Sequence, residues 1–172
     1  MSLSLYQASL APCLQILDAL ATILTKAATD AAERKIDPSI LLQARLYPDM
    51  LPLVRQIQIA TDGAKTGGAR LAGVDYPSFP DTETTFDELQ ARILKCTAFL
   101  RALDPAAIDA ATDRRIEFSV AKRAMAMMAP DYITGWMLPN FYFHATTAFD
   151  ILRHNGVAIG KRDFLGEIPL AT

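Results

Sequence analysis

The sequence predicts an all-α protein, a four-helix bundle with a long crossover between the second and third helices and a short β-hairpin between the third and fourth. Three observations lead to this prediction. Apolar residues recur at helical spacing in four long segments, turn-forming residues cluster in one stretch between the second and third segments, and a short alternating segment precedes the fourth. Amphipathic helices bury their apolar stripes against one another, which favours a bundle.

Length and composition indicate one domain covering residues 1–172. The chain has 172 residues, of which 51% are hydrophobic, enough for a sizeable core without disulfides or metals. The net charge is -2 and the basic residues come in isolated pairs, so no stripe of positive charge is available for nucleic acid. We therefore expect no nucleic-acid partner.

The cysteines and the N-terminal segment predict a soluble, cytoplasmic protein with no membrane partner. Cys13 and Cys96 are far apart and each falls on an apolar stripe, so we interpret them as reduced core residues. The N-terminal segment lacks a basic region, and Gln15 and Asp18 interrupt its apolar run. No stretch reaches the roughly 18 uncharged apolar residues expected of a membrane span.

The first two helices are predicted from their apolar stripes. The first covers about 3–32 and the second about 49–72, after a break at LYPD, with Asp49 as its N-cap. The stripe of the second helix consists of Met50, Val54, Ile57, Thr61 and Ala64. The following segment GVDYPSFPDTET, residues 73–84, is rich in turn formers and is the predicted crossover.

The second half of the chain gives the clearest local signals. Thr85 and Glu88 have the spacing of a capping box at the start of the third helix. Its stripe consists of Phe86, Leu89, Ile93, Cys96, Leu100 and Leu103. Residues 115–120 are predicted to pair with 124–128 in a hairpin, and the fourth helix to cover 131–155 with a bend at Pro139.

The C-terminal tail carries three apolar side chains. Phe164, Leu165 and Ile168 are expected to pack back on the bundle or onto a second subunit. We expect a homodimer.

The two histidines cannot form one metal site. His144 and His154 are ten residues apart on one helix, which corresponds to about 15 Å of rise and about 80 degrees of rotation. His154 stands in the last helical turn, where a protonated imidazole meets the negative end of the helix dipole. His144 falls on the inward stripe with Met137, Phe141, Ala148 and Ile151.

Two interpretations of His144 stay open at this point. A buried imidazole needs a partner for at least one ring nitrogen, and Asp49, Gln58 or a tyrosine would satisfy a core histidine. Alternatively, His144 is a metal ligand or one wall of a small-molecule pocket. The inward polar cluster that the sequence allows contains Asp49, Gln58, Asn140 and His144, with Gln56 and Tyr142 as further neighbours. Motifs of nucleophilic hydrolases, P-loop proteins, dinucleotide-binding folds and zinc peptidases do not occur in the chain.

Several strings carry a resemblance to a known family. LLQARLYPDMLPLVRQIQIATD, FDELQARI, PNFYFHATTAFDILRHNG and GKRDFLG resemble a bacterial family of domains of unknown function that is grouped with the DinB-like, damage-inducible four-helix-bundle proteins. The resemblance implies a site of three histidines across the bundle that holds zinc or nickel, and some relatives are thiol-dependent transferases or isomerases. Matching the LRHNG helix end places His144 at one of the three positions, Asn140 at another and the third near Gln58.

Two amides at ligand positions predict a degenerate metal site, because zinc prefers imidazole, thiolate and carboxylate ligands. We expect no cofactor and a ligand pocket formed by Asp49, Gln58, Asn140, Tyr142 and His144. The expected function is non-catalytic small-molecule binding or an accessory role. The alternative is a divalent-metal enzyme, a transferase, isomerase or hydrolase, in which His144, with Asp49, holds zinc or nickel at a weak site.

Overall fold

The computed structural model describes residues 3–168 and is mostly helical. Its four longest described helices are α1 (Leu5–Glu33), α3 (Leu53–Ala72), α4 (Phe86–Arg101) and α7 (Leu138–His154). Helix α3 packs against α4 and α7, and α1 also packs against both. One apolar cluster between these helices forms the core.

Short helices and one hairpin connect these four elements. They are α2 (Pro38–Leu42), α5 (Pro105–Asp109), α6 (Ala129–Tyr132) and α8 (Lys161–Leu165), with strands β1 (Arg115–Val120) and β2 (Arg123–Met128). The strands pair antiparallel, with Arg115 opposite Met128, which confirms the predicted hairpin. Its two-residue loop places Ala121 and Lys122 at positive φ, the conformation that a tight hairpin turn requires.

The third predicted helix is confirmed in detail. Thr85 accepts a hydrogen bond from the Glu88 backbone N–H, and the Glu88 side chain accepts one from the Thr85 N–H, so the capping box is complete. All six residues of its predicted stripe are buried. Cys13 and Cys96 are both buried free thiols. Burial raises the pKa of the Cys96 thiol to about 12.

The predicted start of the second long helix is wrong. Helix α3 begins at Leu53, with Pro52 at its N-cap and no capping side chain, and Asp49 lies in the exposed loop before it. A proline drives the residue before it out of the helical region, so Leu51 cannot continue a helix from residue 49. Met50, predicted on the helical stripe, is a half-buried loop residue for the same reason.

A π-helical turn precedes Pro139, the position at which a bend was predicted. The fourth helical region begins at Ala129, and residues Ile133–Met137 form the wide turn, in which the Leu138 N–H bonds to the Ile133 carbonyl. Pro139 follows in the first turn of α7. A proline has no N–H for the carbonyl four residues earlier and crowds it, and the wider turn accommodates that mismatch.

The tail packs back on the first helix. Gln15 donates a hydrogen bond to the Leu165 carbonyl at 2.7 Å, and the rings of Phe164 and Phe149 lie 5.6 Å apart. Helix α1 is long and apolar enough to cross a membrane by length and composition alone, with a mean hydropathy of 1.5 over its most apolar window. Here 56% of that window is buried inside the protein, as in the core helix of a folded domain.

Candidate functional site

Helix α3 presents two different faces to its neighbours, and they divide the candidate residues. The face toward α7 carries Gln56, Gly63, Gly67 and Arg70, at helical spacing. The face toward α4 and the crossover carries the second set, Gln58, Thr61, Lys65 and Gly68. Residues two apart on a helix point about 200 degrees apart, so Gln56 and Gln58 belong to separate sites.

His144 is held by Gln56. The His144 side chain is buried, with 9% of the residue exposed, and its Nδ1 atom lies 2.7 Å from the Gln56 Oε1 atom. The Gln56 Nε2 atom donates to the Leu51 carbonyl at 2.9 Å. Because an amide nitrogen must face that carbonyl, the Gln56 oxygen must face His144, and the imidazole must donate through Nδ1–H.

The tautomer of His144 with its proton on Nδ1 leaves a lone pair on the other ring nitrogen, Nε2. Burial lowers the pKa of His144, which favours the neutral imidazole near pH 7. Every fully buried side-chain nitrogen or oxygen in the described residues has a hydrogen-bond partner, and within residues 3–168 the Nε2 atom has none. That atom can therefore accept a hydrogen bond from a ligand. The exposed Phe143 ring stands edge-on beside the imidazole, with 5.1 Å between centroids.

The two other predicted pocket residues of α7 face different helices, Asn140 toward α3 and Tyr142 toward α1, so Tyr142 does not join His144. Asn140 lies one helical turn before His144 and faces Gly63. A Cβ atom added at Gly63 would stand 3.8 Å from the Asn140 Nδ2 atom. Tyr142 is half-buried, and its ring packs edge-on against Phe141. Burial raises the pKa of Tyr142, and the nearby Cys13 thiol of α1 adds to this effect.

Asp49 and Gln58, the other two predicted neighbours, do not contact His144. Asp49 forms no side-chain hydrogen bond or ion pair with any described residue, because α3 begins four residues after it. Gln58 donates to Glu83 at 2.7 Å and accepts from Arg55 at 2.6 Å, on the crossover side of α3. The α3 residue that meets His144 is Gln56, which the sequence marked only as a further neighbour.

The donor set around His144 does not suit a transition metal. Its neighbours on the α3/α7 face are the amides Gln56 and Asn140, and amides are poor zinc ligands. Within residues 3–168 no three histidine, cysteine, aspartate or glutamate side chains are grouped so that they could hold an ion. The residues present do not fit the zinc or nickel site that the DinB-like resemblance implies.

A groove continues along the α3/α7 seam from Asn140 toward the hairpin. Its cavity has a volume of about 290 Å³ and does not include His144. The polar and aromatic side chains that line it are Asp62, Thr66, Arg70, Tyr132, Trp136 and Asn140. Trp136 belongs to the π turn, a feature often found at functional sites. The groove therefore combines a cation, an amide and aromatic faces in one place.

A second polar cluster, which sequence reasoning missed, surrounds the buried Arg92. We call it the crossover clamp: Arg55, Gln58, Asp62, Lys65, Asp81, Glu83 and Arg92. The Arg92 guanidinium, 2% exposed as a residue, contacts the carboxylates of Asp62 at 2.9 Å, Asp81 at 3.1 Å and Glu83 at 3.0 Å. Arg92 lies three residues after Leu89 and four before Cys96, which places it on the buried stripe of α4. This spacing was the sequence signal that Arg92 is buried.

The clamp ties the crossover to the helices. Asp81 and Glu83 belong to the crossover, while their cationic partners Arg55 and Arg92 belong to α3 and α4. Burial raises the pKa of Glu83, but hydrogen bonds from Gln58 and Arg92 more than offset this, so the pKa lies below its usual value. These carboxylates are consequently ionised and paired at neutral pH.

Comparisons with known proteins give a consistent picture. A family model described as "Domain of unknown function (DUF1993)" matches residues 5–165. The crystal structure of a DinB family member protein from Shewanella denitrificans is similar over 98% of this chain and 95% of that chain, with 38% sequence identity and a TM-score of 0.88. No curated protein matches the chain.

Proposed function

Since the chain belongs to the DUF1993 family of domains of unknown function and is DinB-like, we propose that it is a four-helix-bundle protein whose metal site is degenerate and which binds a small molecule without catalysing a reaction. The observation that carries this proposal is the hydrogen bond between His144 and Gln56. The side chain that faces His144 from α3 is therefore an amide, a poor zinc ligand, where a metal site would need a further imidazole, thiolate or carboxylate.

The seam between α3 and α7 supports small-molecule binding. His144 offers a lone pair of fixed orientation, and the groove begins one helical turn away at Asn140. Ligand pockets generally combine apolar walls with a few convergent polar groups. Of the predicted pocket residues, Asn140 and His144 keep this role in the proposal, and Gln56 takes the place of Gln58.

Metal analysis tests the proposal directly. Protein purified without a metal-affinity tag should contain no stoichiometric zinc or nickel. His154→Ala is the matched control for His144→Ala, because it removes an exposed imidazole from the same helix. Stoichiometric metal that is lost in His144→Ala and kept in His154→Ala would overturn the proposal.

The alternative function is a divalent-metal enzyme of the thiol transferase or isomerase type. One observation favours it: the Nε2 atom of His144 has no partner within residues 3–168. A metal that binds only the folded protein must raise its melting temperature with concentration. If zinc and nickel series leave the melting temperature unchanged, the alternative fails.

We also propose that the protein is a cytoplasmic homodimer without a nucleic-acid or membrane partner. The nearly balanced charge supports the absence of a nucleic-acid partner. Helix α8 packs on α1, so a dimer contact would use other exposed surface. A concentration-independent monomer in sedimentation would refute the dimer.

A further inference from the structure

We propose that the α3/α7 groove is an anion site in which Arg70 binds the carboxylate or phosphate group of a small molecule and Trp136 packs against the rest of it. This inference rests on the proposed small-molecule function and names the chemical class of the ligand. It stands on the charge, the geometry and the size of the groove.

Arg70 lines the groove and has no carboxylate partner among the described residues. Within residues 3–168 Arg70 forms no ion pair, whereas Arg55, Lys65 and Arg92 are each paired with a carboxylate of the clamp. A partly buried guanidinium without a counter-charge favours an anion, and its planar donors suit carboxylate and phosphate oxygens.

The Arg70 side chain is already oriented. Its Nη1 atom donates to the Tyr132 hydroxyl at 3.0 Å, and its guanidinium carbon lies 5.6 Å from the centre of the Phe118 ring. Phe118 packs in turn against Tyr132 and Trp136, with ring centres 5.2 and 5.4 Å apart. A guanidinium that is held in place loses less freedom when it binds a ligand.

The nearby charges do not cancel this preference. Asp62 also lines the groove, but its carboxylate is bound by Lys65 at 2.8 Å and by Arg92 at 2.9 Å. Arg114 donates to the backbone carbonyls of Arg70 and Leu71 at the end of α3, which adds a second positive charge on that side. The groove is therefore positive near Arg70.

The volume of the groove limits the size of the ligand, and the other lining residues determine the chemistry of the part that Arg70 does not bind. A volume of about 290 Å³ suits a small metabolite. Thr66 and Asn140 offer neutral hydrogen-bonding groups, and Trp136 offers an aromatic face. The ligand that fits is a compact molecule with one acidic group and an apolar or planar remainder.

The single tryptophan of the chain reports on this site. Trp136 is the one tryptophan in the sequence and it lines the groove. A positive charge nearby attracts iodide, so iodide should quench Trp136 fluorescence about two- to fivefold more efficiently than caesium, after each ion is normalised to its quenching of free N-acetyltryptophanamide. Arg70→Gln should abolish the difference, and Arg70→Lys should keep most of it. Arg153→Gln, a change at an exposed arginine of α7, is the matched control.

Ligand probes complete the test. Benzoate should raise the melting temperature and change Trp136 emission in the native protein and in Arg153→Gln, and should do neither in Arg70→Gln. Benzamide, which has the same shape without the charge, should have no effect. Equal effects of benzoate and benzamide, no benzoate effect, or iodide quenching that Arg70→Gln leaves unchanged would overturn the anion site. None of these results bears on the metal analysis, which tests the proposed function separately.

Discussion

At the scale of single residues, the candidate site depends on a relay of three groups. The Leu51 carbonyl fixes the Gln56 amide, and that amide fixes the tautomer of His144. Leu51 precedes Pro52 and is therefore extended, and its carbonyl lies outside the helix, where a side chain can reach it. The chemistry of His144 is thus determined by the irregular start of α3.

Replacement of Gln56 should change the titration of His144. Burial lowers the pKa of His144 in the folded protein, so the unfolded chain, with a histidine pKa of about 6.5, binds the proton more readily. Between the two values the unfolded state holds more protons, and the free energy of unfolding falls as the pH falls through this window. Gln56→Glu places a carboxylate beside Nδ1, which should raise the pKa of His144 and reduce or reverse that loss.

The titration can be followed by proton NMR of the imidazole. His154→Gln serves as the background, because His144 is then the one histidine left. Gln90→Glu is the control. Gln90 lies on α4 and donates a hydrogen bond to Thr25 of α1, so it belongs to the contact between α1 and α4 and not to the seam between α3 and α7. If Gln56→Glu leaves the pKa of His144 at the value measured in the background protein, the relay is contradicted.

At the scale of elements, the crossover is held by the clamp and α4 is its anchor. Arg92 reaches the Pro80 carbonyl as well as three carboxylates, and its Nε atom donates to Thr61 at 2.8 Å. Lys65, also buried, lies over the Phe79 ring at 3.9 Å from its centre. A crossover rich in turn residues is therefore ordered by a few buried cations.

Loss of Arg92 should release the crossover. Arg92→Met leaves the carboxylates of Glu83 and Asp62 with fewer partners. We expect the free energy of unfolding to fall by about 2 to 4 kcal/mol. This loss is smaller than for a fully buried ion pair because the carboxylates are partly exposed. Urea denaturation measures this change, and limited proteolysis should cut within residues 74–84 first. Lys95→Met, an exposed change on the same helix, should alter stability by less than about 0.5 kcal/mol. Equal stabilities of the two variants would show that the clamp is not a stabilising feature.

At the scale of the whole molecule, α3 is the helix that brings the others together, and its glycines set the distances. A Cβ atom at Gly67 would stand 2.7 Å from the Met137 Sδ atom, and one at Gly68 would stand 2.8 Å from the Leu100 Cδ2 atom. Both contacts are closer than packed side chains allow. A Cβ atom at either position would therefore have to displace these side chains, and glycine lets the π turn and α4 approach α3 closely.

Alanine substitutions should separate close packing from helix propensity. Gly63→Ala meets its nearest neighbour at 3.8 Å, so it should stabilise the protein by about 0.5 to 1 kcal/mol through the lower flexibility of the unfolded chain. Gly68→Ala gains the same propensity but pushes against Leu100 and Leu103, and it should be less stable than Gly63→Ala by about 1 to 3 kcal/mol. Chemical denaturation of both variants decides this, and an equally stabilising Gly68→Ala would mean that α4 adjusts without cost.

The sequence alone determined the features that are encoded locally. The buried stripes of α4 and α7, the capping box of Thr85 and Glu88 and the pairing of 115–120 depend on spacing within one segment, and periodicity and capping act over a few residues. The inward position of His144 was predicted for the same reason.

The tertiary structure decided what depends on how the elements are rotated and placed. Gln56, and not Gln58, meets His144, because a difference of two residues turns a side chain by about 200 degrees and the start of α3 could not be fixed from spacing. The pairing of Arg92 with Asp81 and Glu83 and the groove between Arg70 and Trp136 join residues from different elements. Such polar contacts have no periodic signature in the sequence, since their energy depends on distances that only the packed helices define.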